Sequence, residues 1–175
     1  MMKTKIITIV AAVILAGVCP IKASMIFLDS GHYVWTDADP YYDEVFLEND
    51  ASLDFLSGSI GQLSTRDESL ANIEGGQMHS LHAVNDSFVH YHAGLIDYIS
   101  ASHDTTVFLY AYDVTYDPTG GLNSQGYVQG YFYKNDDEFS FSCVNSPTWS
   151  HIEIVPEPAS FLLLTCGVLL LRKRN

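Results

Sequence analysis

The chain has 175 residues, 21 acidic against 8 basic, and a formal charge of −13. That length suits one domain with appendages, and a hydrophobic content of 47% argues against wholesale disorder. The acidic balance argues against a nucleic-acid binder, which needs a basic footprint, and three cysteines are too few for a disulfide scaffold.

Residues 1–23 read as a secretory signal peptide. Lys3 and Lys5 form a charged start, and an apolar run follows over 6–18. That run is well short of the ~20 residues a membrane-spanning helix needs. Ile21-Lys22-Ala23 then places small-residue cleavage after Ala23.

Residues 24–154 read as an acidic, β-rich exported body. Between 24 and 155 there are 20 acids and only two bases, Arg66 and Lys134, so the net charge is −18. Cys143 is its single cysteine, a residue type that usually serves as a buried apolar filler. A repeat of period 18 runs through 49–110. Gly58, Gly76 and Gly94 align, as do Ile60, Met78 and Ile96, then Leu63, Leu81 and Ile99. Further along the unit come Glu68, Asp86 and Asp104, then Ser69, Ser87 and Thr105. The unit closes on Ala71, Val89 and Val107, then Ile73, Tyr91 and Leu109, with a partial earlier copy at Asp50, Leu53 and Phe55.

Alternating residues such as Ser87, Val89 and Tyr91 share one face of a strand. Gly corners and Asp/Asn before Ser/Thr supply turns. A unit this small cannot bury its own apolar face, so stacked units share a core. The expected fold is mainly β, a short parallel β-helix or solenoid of three to four coils about 20 Å tall at the strand spacing. Hydrophobic signal helices flank it, and the alternative is an antiparallel β-sandwich.

Residues 111–154 are expected to cap the stack. Strands over 126–133 and 139–143 flank Asn135-Asp136-Asp137-Glu138, a hairpin with a longer loop. Tyr127, Gln129, Tyr131 and Tyr133 share one of its faces, and Phe139, Phe141 and Cys143 share a face of the partner strand. A last strand over 149–155 leads out of the body.

Three constellations are candidates for chemistry. His90 and His92, two apart on one strand face and directed at solvent, have spacing suited to Zn²⁺ or Cu²⁺. The column Glu68, Asp86 and Asp104 would stack at one corner, where hard oxygen ligands bind Ca²⁺. Exposed aromatic faces stack on sugar rings, and Tyr127, Tyr131, Tyr133 and Trp149 are the candidates for such a glycan face. No catalytic residues are assigned. The sequence carries no G-x-S-x-G, phosphate loop or H-E-x-x-H, and no carboxylate pair stands out for glycoside hydrolysis. A non-enzymatic body is therefore expected, with a small polysaccharide-active β-helix enzyme as the rival.

The chain ends Val155-Pro156-Glu157-Pro158-Ala159-Ser160, an apolar run over 161–171, then Arg172-Lys173-Arg174-Asn175. The basic end would stay cytoplasmic. Residues 155–175 closely resemble the PEP-CTERM sorting signal of Gram-negative bacteria. The resemblance implies recognition by the secretion machinery and an exosortase, with transient membrane anchoring and a cut near Glu157-Pro158. Val155, Pro156, Glu157, Pro158, Arg172, Lys173 and Arg174 match that signal. It further implies a place at the cell surface or outside it, among exopolysaccharide and biofilm matrix. The resemblance extends to a family described as an ice-binding protein C-terminal segment, a description that concerns the tail and says nothing of the body. Together these features point to an exported structural or adhesive protein. A glycan-, calcium- or ice-binding module is the remaining alternative.

Overall fold

The computed structural model describes residues 24–156 except 122, 124 and 146. The two expected signal helices lie outside the described residues. Within them the strands are β1 (Met25–Leu28), β2 (His32–Trp35), β3 (Tyr42–Leu47), β4 (Ser52–Phe55), β5 (Ser59–Thr65), β6 (Leu70–Ile73), β7 (Gln77–Ala83), β8 (Phe88–Tyr91), β9 (Leu95–Ala101), β10 (Thr106–Leu109), β11 (Ala111–Asp117), β12 (Tyr127–Phe132), β13 (Glu138–Cys143) and β14 (Ile152–Ile154). One sheet has the order β1-β3-β5-β7-β9-β13-β12-β11, the other β14-β10-β8-β6-β4-β2. Up to β10 the chain alternates between sheets, and each strand pairs in parallel with its counterpart one turn away. This is a two-sheet β-solenoid of about five turns, not an antiparallel sandwich.

The register follows the repeat. Ile60, Met78 and Ile96 are direct neighbours, as are Leu63, Leu81 and Ile99. On the facing sheet Ala71, Val89 and Val107 align, beside Ile73, Tyr91 and Leu109. All of these are buried, and fully burying each large side chain contributes about 1.5–3 kcal/mol. No single unit could do this, because its apolar face is covered only by the opposite sheet and the adjoining turns.

Two kinds of corner hold the turns in phase. Asn49, Asp67, Asn85 and His103 end the first-sheet strands with φ of 53°, 58°, 50° and 62°. Asn, Asp and His are the non-glycine residues that best tolerate this left-handed region. At the opposite corner Gly58, Gly76 and Gly94 have φ of 90°, 77° and 109°. A Cβ on Gly94 would sit 2.8 Å from the Gly75 carbonyl oxygen and 2.9 Å from that of Gly76. Just after the first corner Ser69, Ser87 and Thr105 are buried yet satisfied. The Ser69 hydroxyl accepts from the Arg66 N–H at 3.1 Å. Ser87 Oγ lies 3.0 Å from Thr65 Oγ1 and 2.7 Å from Thr105 Oγ1, which also donates to the Ser87 carbonyl at 2.7 Å.

Two features depart from the expected organisation. A further coil, β1–β2, precedes the repeat. It is offset from the next by 19 residues at Met25↔Glu44 and 20 at His32↔Ser52, so a search at 18 does not find it. The last rung is discontinuous. β13 pairs in parallel with β9 and β14 with β10, while β11 and β12 run out and back beyond β13 as an antiparallel extension of the first sheet. β11 carries a bulge at Asp113, whose φ is 50°. That bulge breaks the alternation which would reveal the strand. The hairpin sits at this end of the stack, as expected, and its Phe132, Phe139 and Phe141 pack around Tyr91. The strand expected over 149–155 is shorter, because Thr148–His151 form a 3₁₀ turn before β14.

Substituting Gly94→Ala should lower the unfolding free energy by about 1–3 kcal/mol, through strain at positive φ and contact with stacked backbone. Asn85→Gly, which keeps that freedom at the other corner, should cost less than half as much. Denaturant titration of both variants checks this.

Candidate functional site

Because Val89 and Tyr91 point inward, His90 and its row point outward from the second sheet, as the period-2 rule requires. There His90 stacks on Phe108 with ring centroids 4.8 Å apart, and His92 stacks on Tyr110 at 3.9 Å. His90 Nδ1 lies 2.8 Å from the Tyr110 hydroxyl. His92 Nε2 is 3.8 Å from Glu74. Glu74 also receives Lys134 Nζ at 2.6 Å on its carboxylate and 2.8 Å on its backbone carbonyl. One of the body's two cations thus ties the hairpin loop to the solenoid wall. The other, Arg66, lies 3.5 Å from Glu48 and over the Phe46 ring at 5.0 Å.

The band of rings continues round the corner. The Tyr133 N–H donates to the Tyr110 carbonyl at 3.2 Å. On the outer face of the β11–β12 pair, Tyr112 stacks between Tyr131 at 5.6 Å and Tyr133 at 5.4 Å. The Tyr112 hydroxyl donates to Asp136 at 3.0 Å, and that bond raises its phenol pKa. Tyr110 and Tyr112 are part of this surface but were not among the residues expected to form it. Their alternation around buried Ala111 was the available signal.

The four glycan candidates do not form one face. Tyr131 and Tyr133 belong to the outer band. Tyr127 is on the same side but at the far end of β12, opposite Asp117 and Ser142. Trp149 lies apart from that band. It stacks at 4.4 Å on Tyr116, and Tyr116 is paired with fully buried Val128. Directly opposed residues share a face, so Trp149 packs, partly buried, against the edge of the core.

The His90 and His92 rings lie 6.3 Å apart and nearly parallel, at 12°. Stacked rings do not aim their nitrogens at one point, and Tyr110 occupies one His90 nitrogen. Glu68, Asp86 and Asp104 do recur at one corner, on exposed positions of successive turns. Among the described residues, three or more His, Cys, Asp or Glu side chains do not gather at one point. Cys143 is fully buried, and burial pushes its thiol pKa up to about 11, so it behaves as core.

Of the residues expected to act in sorting, Val155 and Pro156 are described. The Val155 N–H donates to the Leu109 carbonyl at 2.9 Å, the last bond of the solenoid wall. Ala23, Glu157, Pro158, Arg172, Lys173 and Arg174 lie outside the described residues. No described helix is long and apolar enough to cross a membrane. Comparison of the chain with family models, curated proteins and solved structures finds no match.

Burial lowers the pKa of His82, His90 and His92 from 6.5. Glu44 opposes this at His82, and His92 reinforces it at His90. At His92 Glu74 opposes it while Lys134 reinforces it. The folded chain therefore binds fewer protons than the unfolded chain just below pH 6.5. Its stability should be fully present above that value and should fall as pH drops through the window. Melting temperatures between pH 7.5 and 5 should show this slope, and His90→Gln should reduce it.

Proposed function

We propose that the chain is an exported bacterial surface or matrix protein, sorted by the PEP-CTERM-like segment 155–175, with a structural or adhesive solenoid body. The observation that carries this reading is the composite C-terminal motif, from Val155-Pro156-Glu157-Pro158 through the apolar run to Arg172-Lys173-Arg174. The position of the fold supports it. Every residue of the core cluster lies between Leu28 and Cys143, so removing both ends leaves the core whole. The first strand starts at Met25, two residues after Ala23. The Ser24 backbone nitrogen already lies 3.0 Å from the Asp43 carboxylate. Cleavage after Ala23 would turn that nitrogen into an α-ammonium and the contact into an ion pair.

Exopolysaccharide is the proposed partner. A carbohydrate that meets this body meets 18 excess negative charges, so a neutral glycan, or one bridged by cations, fits better than a bare polyanion. The band Tyr112, Tyr131 and Tyr133 offers it aromatic surface away from the core.

Glu157→Ala should leave the protein in the inner-membrane fraction of the producing cells, and normal release of that variant would refute the sorting role. The double variant Tyr112→Ala/Tyr131→Ala should bind the host exopolysaccharide at least about tenfold more weakly in a pull-down isotherm, a loss of about 1.4 kcal/mol or more, with its circular dichroism unchanged. Unchanged binding would remove the ring band from the account.

A further inference from the structure

The two ends of the solenoid differ. At the C-terminal end the first sheet overhangs the second by β12 and β11, and Tyr116 and Trp149 stack beneath the overhang. At the N-terminal end both sheets stop together. β1 and β2 are terminal strands of their sheets, and among the described residues no further strand pairs with the outer edge of either. Natural proteins protect such edges with charge, proline or a bulge. Here β1 reads Met-Ile-Phe-Leu and β2 reads His-Tyr-Val-Trp, with no carboxylate, lysine or proline. The rim is apolar as well. Met25, Phe27 and Val34 are 53%, 57% and 52% exposed, whereas their neighbours one and two turns along include Glu44, Gln62, Ser64, Asp54 and Asn72.

We propose that this flush end is a self-association surface whose occupant is the same end of a second copy of the chain. A partner must offer two strand edges at once, about 10 Å apart, the spacing of facing sheets. A second copy related by a two-fold axis normal to the sheets does so, setting β1 antiparallel to β1 and β2 antiparallel to β2. Registers that keep inward residues inward exist for both pairs. Ile26 faces Ile26 with Met25 opposite Phe27, and Tyr33 faces Tyr33 with His32 opposite Val34. The remaining surface carries most of the 18 excess negative charges and resists contact between copies. The strands of this end carry none, while Asp29, Asp37 and Asp39 are exposed in the turns beside them, so repulsion between copies is least across the strands themselves. The contact is confined to two four-residue strands per copy, small beside the roughly 20–30 residues a side of a standard interface. The dimer is therefore weak and concentration-dependent, with Kd in the micromolar range or above. The C-terminal end lacks two flush edges, so association stops at the dimer and does not propagate head to tail. This inference concerns the solenoid alone and stands apart from the sorting reading.

The test is sedimentation equilibrium of residues 24–156, which contain the whole core, from about 1 µM to 1 mM in 0.15 M salt. The expected result is a monomer–dimer equilibrium. It should weaken at least tenfold in Phe27→Lys/Val34→Lys, because each lysine replaces an apolar contact, with Met25 or His32 of the other copy, and places like charges on both sides of one small interface; it should be unaffected by Gln129→Lys at the far end. Circular dichroism establishes that the variants remain folded. Should the double variant unfold, Val34→Cys cross-linked by a short bismaleimide gives an independent reading against Gln129→Cys. Dimer cross-linking at 34 and not at 129 supports the proposal. A monomer throughout, a dimer indifferent to Phe27→Lys/Val34→Lys, or growth beyond the dimer would overturn it. So would capture of an added peptide of residues 1–23 at this edge in place of a second copy.

Discussion

The whole body depends on one constraint: each turn must bring the chain back in phase above the turn before it. Parallel strands hydrogen-bond evenly only if every residue finds its counterpart a fixed distance along the chain. Here that distance is 18 residues through the regular turns. A single-residue slip would flip an inward side chain outward. The corners enforce the phase by backbone conformation, with Asn, Asp or His in the left-handed region on one side and glycine on the other. Between them, Ser69, Ser87 and Thr105 occupy buried positions with their hydroxyls bonded. Burial of the Ile, Leu and Val rows follows from this geometry and stabilises it in turn.

The regular turns were legible in the sequence because they obey that constraint. Gly58, Gly76 and Gly94 mark one corner, and the inward Leu63, Leu81 and Ile99 recur with them. What was hidden breaks the period for identifiable reasons. The β1–β2 coil uses offsets of 19 and 20, since its corners differ in length. β11 is bent by the bulge at Asp113. The sixth rung is assembled from β13 and β14, which the chain reaches only after leaving the stack, a long-range pairing that no local pattern announces.

Side-chain convergence was less legible than strand placement. Alternation says that His90 and His92 share a face, and they do. It does not say whether their rings aim at a common point, and Phe108 and Tyr110 stack them instead. Trp149 looked like a surface ring because a strand was expected around it. The 3₁₀ turn at Thr148–His151 swings it under Tyr116. Similarly, the sparse cations read only as a charge deficit, whereas the structure uses them as ties. Lys134 reaches Glu74 across 60 residues of chain, and Arg66 covers the Phe46 ring beside Glu48.

The solenoid stands between two chemically distinct ends, and the central claim is that both are addresses removed from a self-sufficient body. Intact mass measurement of the protein recovered from the surface or medium of the cells that make it tests this most directly. The account predicts a chain that begins at Ser24 and ends near Glu157. Recovery of a chain that still carries residues 1–23, or that runs on to Asn175, would contradict it.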